Sequence, residues 1–305
     1  MSYASWLSFV TVCDRGSISA AASELGYTQS AVSRHVASLE HEMGARLLDR
    51  LPRGVRPTDA GEALLRHARL VVGETARARD AVAATVAGRG PSLAVGAVPS
   101  ATVGLLPAAI RSFVHHVPTH RCTLRSAVST QLQDLVLSGE LDVAVVTDFP
   151  PGLPASRHLR RHLLLDDELC VLLPDDHPAA HGPADERVPM ATFADDVWVE
   201  DNPGSERLLV SAAGRAGFDA RLEMEAGDLA GKVALVATGQ AVALVPRLLL
   251  RAVPEGTTVR RLADPPLRSV FALHHASPSR SRHEVDAFVD ALRRAALELT
   301  QVSRG

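Results

Sequence analysis

Gln29, Ser30, Ser33 and Arg34 share one side of a helix if Val32, Val36 and Leu39, at i, i+4 and i+7, form its buried stripe. Glutamine and arginine can each make two hydrogen bonds to one base edge, so a short polar face of this make-up suits the major groove of DNA. Such a face must be presented by a second helix, and the preceding residues supply one. Ser17 is a good N-cap, Ala20, Ala21 and Ala22 are small enough for close helix packing, and Leu25 then Gly26 give a last apolar anchor and a stop. Thr28 then caps the next helix. Segment 17–40 is therefore expected to be two short helices with a tight corner. A polar solvent face on an ordinary helical hairpin explains the same residues equally well at this point.

The flanks extend the unit. Trp6, Phe9 and Val12, with Val10 and Cys13, make an apolar helical stripe that ends at the break Asp14-Arg15-Gly16 and would roof the helix pair. After Glu40 the second helix runs on to Met43 and turns at Gly44. Residues 49–58 then read as a short hairpin bent at Pro52 and Gly54 and carrying Arg50, Arg53 and Arg56. Arginines on such a wing suit phosphate or minor-groove contact, and a solvated loop is the plainer account. Residues 1–60 hold six arginines and six carboxylates, so placement rather than net charge carries any attraction for DNA.

Thr58 caps a helix expected from Asp59 to about Ala87, with Asp59 and Glu62 at its positive end. Ala60, Leu64, Ala68, Val71, Thr75, Ala78, Val82 and Val86 recur at steps of three and four, close to a heptad seam. At about 1.5 Å per residue the helix reaches about 40 Å, too long to cover a small core. The stripe is better explained as a seam between two copies than as packing on its own domain.

Gly88-Arg89-Gly90-Pro91 breaks this helix and opens the second half. Strands are expected at 92–98, 121–128 and 143–146, with helices through Leu105, Leu106, Ile110 and Phe113 and over 131–138. A second unit begins at Glu168. It includes 197–199, helices at 205–216 and 228–238, and the segment 239–246; strand 268–274 and a helix from Ser281 to Leu299 return to the first unit. Such alternation gives an α/β fold with a largely parallel sheet and a cleft between two subdomains. Ligands collect at the carboxyl ends of such strands, where helix N-termini aim N–H groups into the crevice. Ser100 with Thr102, Ser129 with Thr130, Thr147, and Asn202 with Ser205 occupy those junctions. Each one alone is equally an N-cap; the cluster facing one cleft points to binding.

Bulk properties exclude much. The chain of 305 residues has room for two or three domains and needs no staples. Cys13, Cys122 and Cys170 are far apart and form no Cys-x-x-Cys pair, so a disulfide framework or zinc site is not expected. No export signal or bilayer-length apolar span is evident, which points to a cytoplasmic protein with no membrane partner. Lys232 is the only lysine beside many arginines, which reads as compositional bias. No nucleophile elbow, phosphate loop or His-Glu-x-x-His pair is found, so an enzyme, a metal and a cofactor are not expected. The neighbours His115-His116 and His274-His275 point apart on helix or strand and cannot chelate one ion.

Phe9, Gly16-Ser17, Ala21-Ala22, Leu25, the run Thr28 to His35, Leu39-Glu40, Gly44, Leu47, Arg50, Thr58 and Gly61 together resemble the winged helix-turn-helix of the LysR-type transcriptional regulators. The match is dense over about the first sixty-five residues; Leu51 and Pro57 depart from the family pattern, both in the wing. The second half is similar to the family's effector domain, itself like periplasmic solute-binding proteins. It is carried there by Gly-Glu-Leu-Asp at 139–142, His177-Pro178 and the 239–246 run, with Ala241 where a second glycine is usual. The resemblance implies a DNA-binding domain at 1–58, a linker helix at 59–88 pairing two chains, and an effector domain at 89–305, divided into 92–163 plus 268–305 and 164–267. It implies promoter DNA as partner, a homodimer or homotetramer, and a small effector, most often a carboxylate. Gln29, Ser33 and Arg34 are then expected at bases, Ser30 and Arg53 in phosphate or groove positioning, Thr28 also among the DNA-binding residues, and Ser100, Thr102, Thr130, Thr147 and Asn202 at the effector. The rival readings are a regulator of the same fold without effector and a solute-binding or enzymatic α/β protein.

Overall fold

A computed structural model describes residues 2–88, 90–150, 152–183, 186–276 and 282–301. Arg89 in the expected helix break and Ser281 at the expected start of the last helix lie outside these residues. The chain divides into two compact units, 1–92 with 134–141 and 93–133 with 142–305, each taken over its described residues.

The first unit opens with three helices, α1 (Tyr3–Arg15), α2 (Ile18–Leu25) and α3 (Gln29–Met43), each ended by a glycine in the left-handed conformation: Gly16, Gly26 and Gly44. The α1 helix runs through Asp14 and Arg15, and only Gly16 breaks it. Ser17 and Thr28 cap α2 and α3, their side chains accepting from the N–H groups of Ala20 and Ala31. Phe9, Val12, Ala21, Ala22, Val32, Val36 and Leu39 form one core, whereas Ala20 turns to solvent and takes no part in helix packing. Strands β1 (Leu48–Arg50) and β2 (Val55–Pro57) pair antiparallel as the wing.

Helix α4 (Asp59–Val86) follows, capped by Thr58 Oγ1. Its first turns serve its own domain: Leu65 and Ala68 are buried in the three-helix core, and Arg69 is ion-paired with Asp14 of α1. The expected seam is thus displaced at its start, where Ala68 faces inward. Farther along, Val71, Val82 and Val86 are 40%, 65% and 84% exposed in the single chain. Gly61 is required at the α4 start, because a Cβ there would lie 2.0 Å from the Leu47 carbonyl oxygen, a backbone atom already bonded to the Thr58 N–H. Gly61→Ala should therefore cost about 3 kcal/mol, the upper end of overpacking penalties, measured as a lowered urea midpoint with unchanged helix content before the transition.

In the second unit β3 (Ser92–Ala97) leads into α5 (Pro99–Gly104) and α6 (Leu106–His116). One helix was expected here; Pro107 at the second position of α6 has no N–H to continue the ladder, and the chain restarts at Leu105. Next come β4 (Arg121–Ser126), α7 (Ser129–Leu137), whose residues from Asp134 on count with the first unit, β5 (Val143–Thr147) and the 16-residue β6 (Leu159–Pro174). The remainder is β7 (Arg187–Val188), β8 (Val197–Glu200), α8 (Pro203–Arg215), β9 (Arg221–Glu225), α9 (Leu229–Ala237), β10 (Ala243–Pro246), β11 (Thr257–Leu262), β12 (Leu267–His275) and α10 (Arg282–Gln301).

The sheet is mixed, not largely parallel. β3 and β5 are parallel, but β12 is antiparallel to both β5 and β6, and β10 and β11 are antiparallel to β6. The cause is β6. It begins at Leu159, well before the expected Glu168, and pairs with β12 along its first part and with β10 and β11 along its second. Its first residues come in blocks, Arg160-Arg161-His162, Leu163 to Leu165 and Asp166 to Glu168, without alternation and mostly outside the core, a weaker sequence signal than the fully buried run 169–173. β6 and β12 thus carry the connection between the two halves of the unit.

Candidate nucleic-acid interface and ligand cavity

On α3, Gln29, Ser30 and Arg34 are exposed with Thr28, while Ser33 is half-buried in a shallow depression beside Arg46, Arg50 and Val55. Thr28 Oγ1 accepts from the Ala31 N–H at 3.2 Å and lies 3.0 Å from Ser30 Oγ, so its first task is the cap. Among the described residues neither Arg34 nor Arg53 has a carboxylate partner, whereas Arg56 faces Asp49 at 3.5 Å across the wing.

The wing is held against the helices. Glu40 at the end of α3 accepts from the Leu47 and Leu48 N–H groups at 2.8 and 3.2 Å, and the Val55 N–H donates to the Gly16 carbonyl at 2.9 Å. At the tip, Gly54 has φ of +96°, and a Cβ there would lie 2.4 Å from the Gly16 carbonyl oxygen. The wing and the α1–α2 corner therefore interlock through backbone, which fixes Arg53 relative to α3. Leu51, the apolar departure at the tip, is 43% exposed.

In the second unit the carboxyl ends of β3, β5, β8 and β10 surround a cavity of about 530 Å³. Ser100, Thr130, Thr147 and Asn202 line it, as do Ser129 and Ser205. Thr102 does not: its hydroxyl donates to the Val98 carbonyl one turn back, as a helical threonine at the second turn does. Asn202 Oδ1 caps α8, accepting from the Gly204 and Ser205 N–H groups at 3.1 and 2.9 Å.

Two buried ion clusters contribute to the lining through Arg268, Lys232 and Asp201, and neither was legible in the sequence. Arg268, at the start of β12, donates to Asp167 of β6 at 2.7 and 3.0 Å and to Ser100 Oγ at 2.8 Å, with its guanidinium 5.0 Å from the centre of the Phe149 ring. Asp167 also accepts from the Leu248 N–H at 3.2 Å. Burial pushes the Asp167 carboxyl up and the Arg268 guanidinium down, and each charge opposes the shift of the other.

Lys232 of α9 is the second. It is 1% exposed, and its ammonium reaches Glu200 Oε2 at 2.5 Å, Asp201 Oδ1 at 3.2 Å and Ser205 Oγ at 3.2 Å. Three protons meet three acceptors around a point, a geometry for an ammonium rather than a planar guanidinium. The one lysine of the chain thus stands where three acceptors converge. Burial pushes the Glu200 carboxyl up, opposed chiefly by the Lys232 charge.

These bonds set which way the hydroxyls point. A guanidinium and an amide N–H only donate, so Ser100 Oγ accepts from Arg268 and Ser129 Oγ accepts from the Thr147 N–H at 3.0 Å. Ser100 keeps its own proton to give. The Ser129 and Thr147 hydroxyls, 3.3 Å apart, bond each other and leave one more proton. This wall of the cavity offers donors. Among the described residues no group of three or more His, Cys, Asp or Glu could hold a metal ion, and no helix is long and apolar enough to cross a membrane.

A winged reading head followed by an α/β unit with a hydroxyl-lined cavity is the make-up of a ligand-responsive DNA-binding regulator. Residues 5–62 match the family model for bacterial regulatory helix-turn-helix proteins of the lysR family, and residues 87–297 match the LysR substrate binding domain. The chain belongs to the LysR family of DNA-binding transcriptional regulators, with an effector-binding domain in its second half; it is not an enzyme. It is 34% identical over 303 residues to the small neutral protease regulatory protein of Streptomyces coelicolor, covering 96% of this chain and 86% of that one. It is 30% identical over 267 residues to a probable nitrogen assimilation transcriptional activator of Synechococcus elongatus, covering 82% and 84%. Two solved structures share the fold. One is a full-length OxyR variant from Pseudomonas aeruginosa, with TM-score 0.63 and 23% identity over 96% of this chain and 95% of that one. The other is full-length CbnR complexed with its target DNA, with TM-score 0.61 and 20% identity over 97% and 100%.

Proposed function

We propose that the chain binds promoter DNA as a homodimer or homotetramer in the cytoplasm and that a small carboxylate-bearing effector in the cavity tunes it. The working division is 1–58 for DNA, 59–88 for pairing and 89–305 for the effector. Gln29, Ser33 and Arg34 read bases, Ser30 and Arg53 make phosphate or groove contacts, and Thr28 lies beside them at the start of α3. The exposed Val71, Val82 and Val86 support pairing along α4. The effector reading rests above all on the bond from Arg268 to Ser100, which leaves the serine hydroxyl as a donor facing the cavity. A carboxylate accepts from several donors at once and can take the Ser100 proton.

A thermal-shift series on the full chain tests this. Small aromatic and aliphatic carboxylates are compared with the amide and amine of the same skeleton. Stabilisation confined to carboxylates is expected, growing with ligand concentration by mass action; stabilisation by amides or amines alone overturns the carboxylate assignment. Salt-sensitive retention of the promoter beside its own gene checks the DNA reading.

A further inference from the structure

On the outer part of the crossing strands, His162 of β6 and His274 of β12 lie on one sheet face, diagonally paired: His162 is opposite Ala272 and His274 opposite Arg160. Their Nε2 atoms are 3.0 Å apart, with the ring planes 14° from parallel and the centroids 5.1 Å apart. The rings therefore meet nitrogen to nitrogen, nearly in one plane. Arg293 of α10 lies 3.0 Å from His162 Nδ1, and His274 Nδ1 lies 2.9 Å from the His275 carbonyl oxygen.

These ends determine every proton. Arginine only donates, so His162 Nδ1 must be bare and its proton sits on Nε2. A carbonyl only accepts, so His274 Nδ1 carries its proton and its Nε2 is bare. The chain runs Arg293 to His162 to His274 to the His275 carbonyl, one proton per link, and it exists only while both imidazoles are neutral. A divalent ion bridging the two Nε2 atoms would require a proton on His162 Nδ1, where Arg293 already points one.

We infer that the Arg293–His162–His274 chain is a proton-binding site that fastens α10 to β6 and β12 at neutral pH and releases it in mild acid. A proton added to His162 Nδ1 faces the guanidinium, and one added to His274 Nε2 faces the His162 N–H; either breaks a link. The surrounding charges are Arg160 on β6 and, on α10, Arg293 with Asp290 at 3.1 Å, and Asp286, which is paired with Arg282 at 3.7 Å. His158 and His275 lie ring to ring at 6.4 Å next along the strands. β5, beyond His274, places only Val143 opposite it and has no titratable side chain in 143–147. Burial, then the His274, Arg293 and Arg160 charges, hold the His162 imidazole below its ordinary value, against Asp286. The folded chain therefore binds fewer protons here than the unfolded one. Its stability is complete above about pH 6.5, the ordinary imidazole value, and falls as pH drops toward the depressed folded value.

Urea unfolding of the full chain at pH 7.5 and 5.5, beside the double variant His162→Gln/His274→Gln, tests the site. Glutamine keeps a donor and an acceptor without titrating, and the other histidines are common to both proteins. The unfolding constant of the natural chain should rise more than the variant's, by up to about tenfold per pH unit below 6.5 through His162; equal losses overturn the inference. Imidazole ¹⁵N shifts of the natural chain give a reading independent of the variant. A bare Nδ1 on His162 and a bare Nε2 on His274 are expected at pH 7.5, and a charged His162 or an Nε2–H tautomer on His274 overturns it. Zinc that stabilises the natural chain but not the variant likewise replaces the proton by a metal and overturns it.

Discussion

Replacing Arg34 with alanine lowers the preference for the specific operator over unrelated DNA by about ten- to a hundredfold at fixed salt, the value of one bidentate base contact. Arg34 is exposed on α3 and among the described residues has only a 3.4 Å bond from Nε to the Ser30 carbonyl within its own helix, so its guanidinium fork is available to a base edge. The loss is confined to recognition, because the helix is anchored by Val32, Val36 and Leu39 on the other side. Thermal stability and oligomeric state stay unchanged. Arg53→Ala behaves differently: at the wing tip it weakens binding to all sequences alike and reduces the salt slope by about one. Gel-shift competition with specific and random duplexes separates the two, and an Arg34 variant with undiminished discrimination removes that residue from the reading set.

Lys232→Met destabilises the chain by about 3–5 kcal/mol, as breaking a buried ion cluster from one side does. Methionine matches the stem in length and apolar character, but Glu200 and Asp201 then lose the cation that meets both. The sign of the pH dependence identifies the cause. The buried Glu200 carboxyl, without its cation, takes a proton more readily folded than unfolded, so the deficit shrinks as pH is lowered toward about 4.3, the ordinary glutamate value. A packing loss would not change with pH. Lys232→Arg retains the charge but cannot direct three donors at a point, and it recovers only part of the loss. Urea midpoints of the three proteins between pH 7.5 and 4.5 decide it; a methionine variant as stable as the natural chain dissolves the cluster's role.

The reading head was legible because its information is local. Caps at Ser17, Thr28 and Thr58, stops at Gly16, Gly26 and Gly44, and the stripe Val32, Val36, Leu39 each depend on neighbours within a few turns, and such interactions act before the chain closes on itself. Helix periodicity likewise gave the length of α4, but not which side faces in: Ala68 looks like a seam position until Phe9 and Leu65 occupy the space beside it. Thr102 and Thr130 are the same residue type at similar junctions, and only the tertiary structure turns one onto its own helix and the other into the cavity.

What remained closed to sequence was everything held across long separations. Arg268 meets Asp167 and Ser100 over 101 and 168 residues, Lys232 meets Glu200 over 32, and His162 meets His274 over 112. Charged and titratable side chains carry no periodic signature of their partners, since each is equally at home in water until another element removes the water. The sequence by itself determined the DNA-reading helix pair, its wing and the order of the α/β elements. Burial by β6, β12 and α9 decided which polar groups face one another, and so which hydroxyls line the cavity as donors.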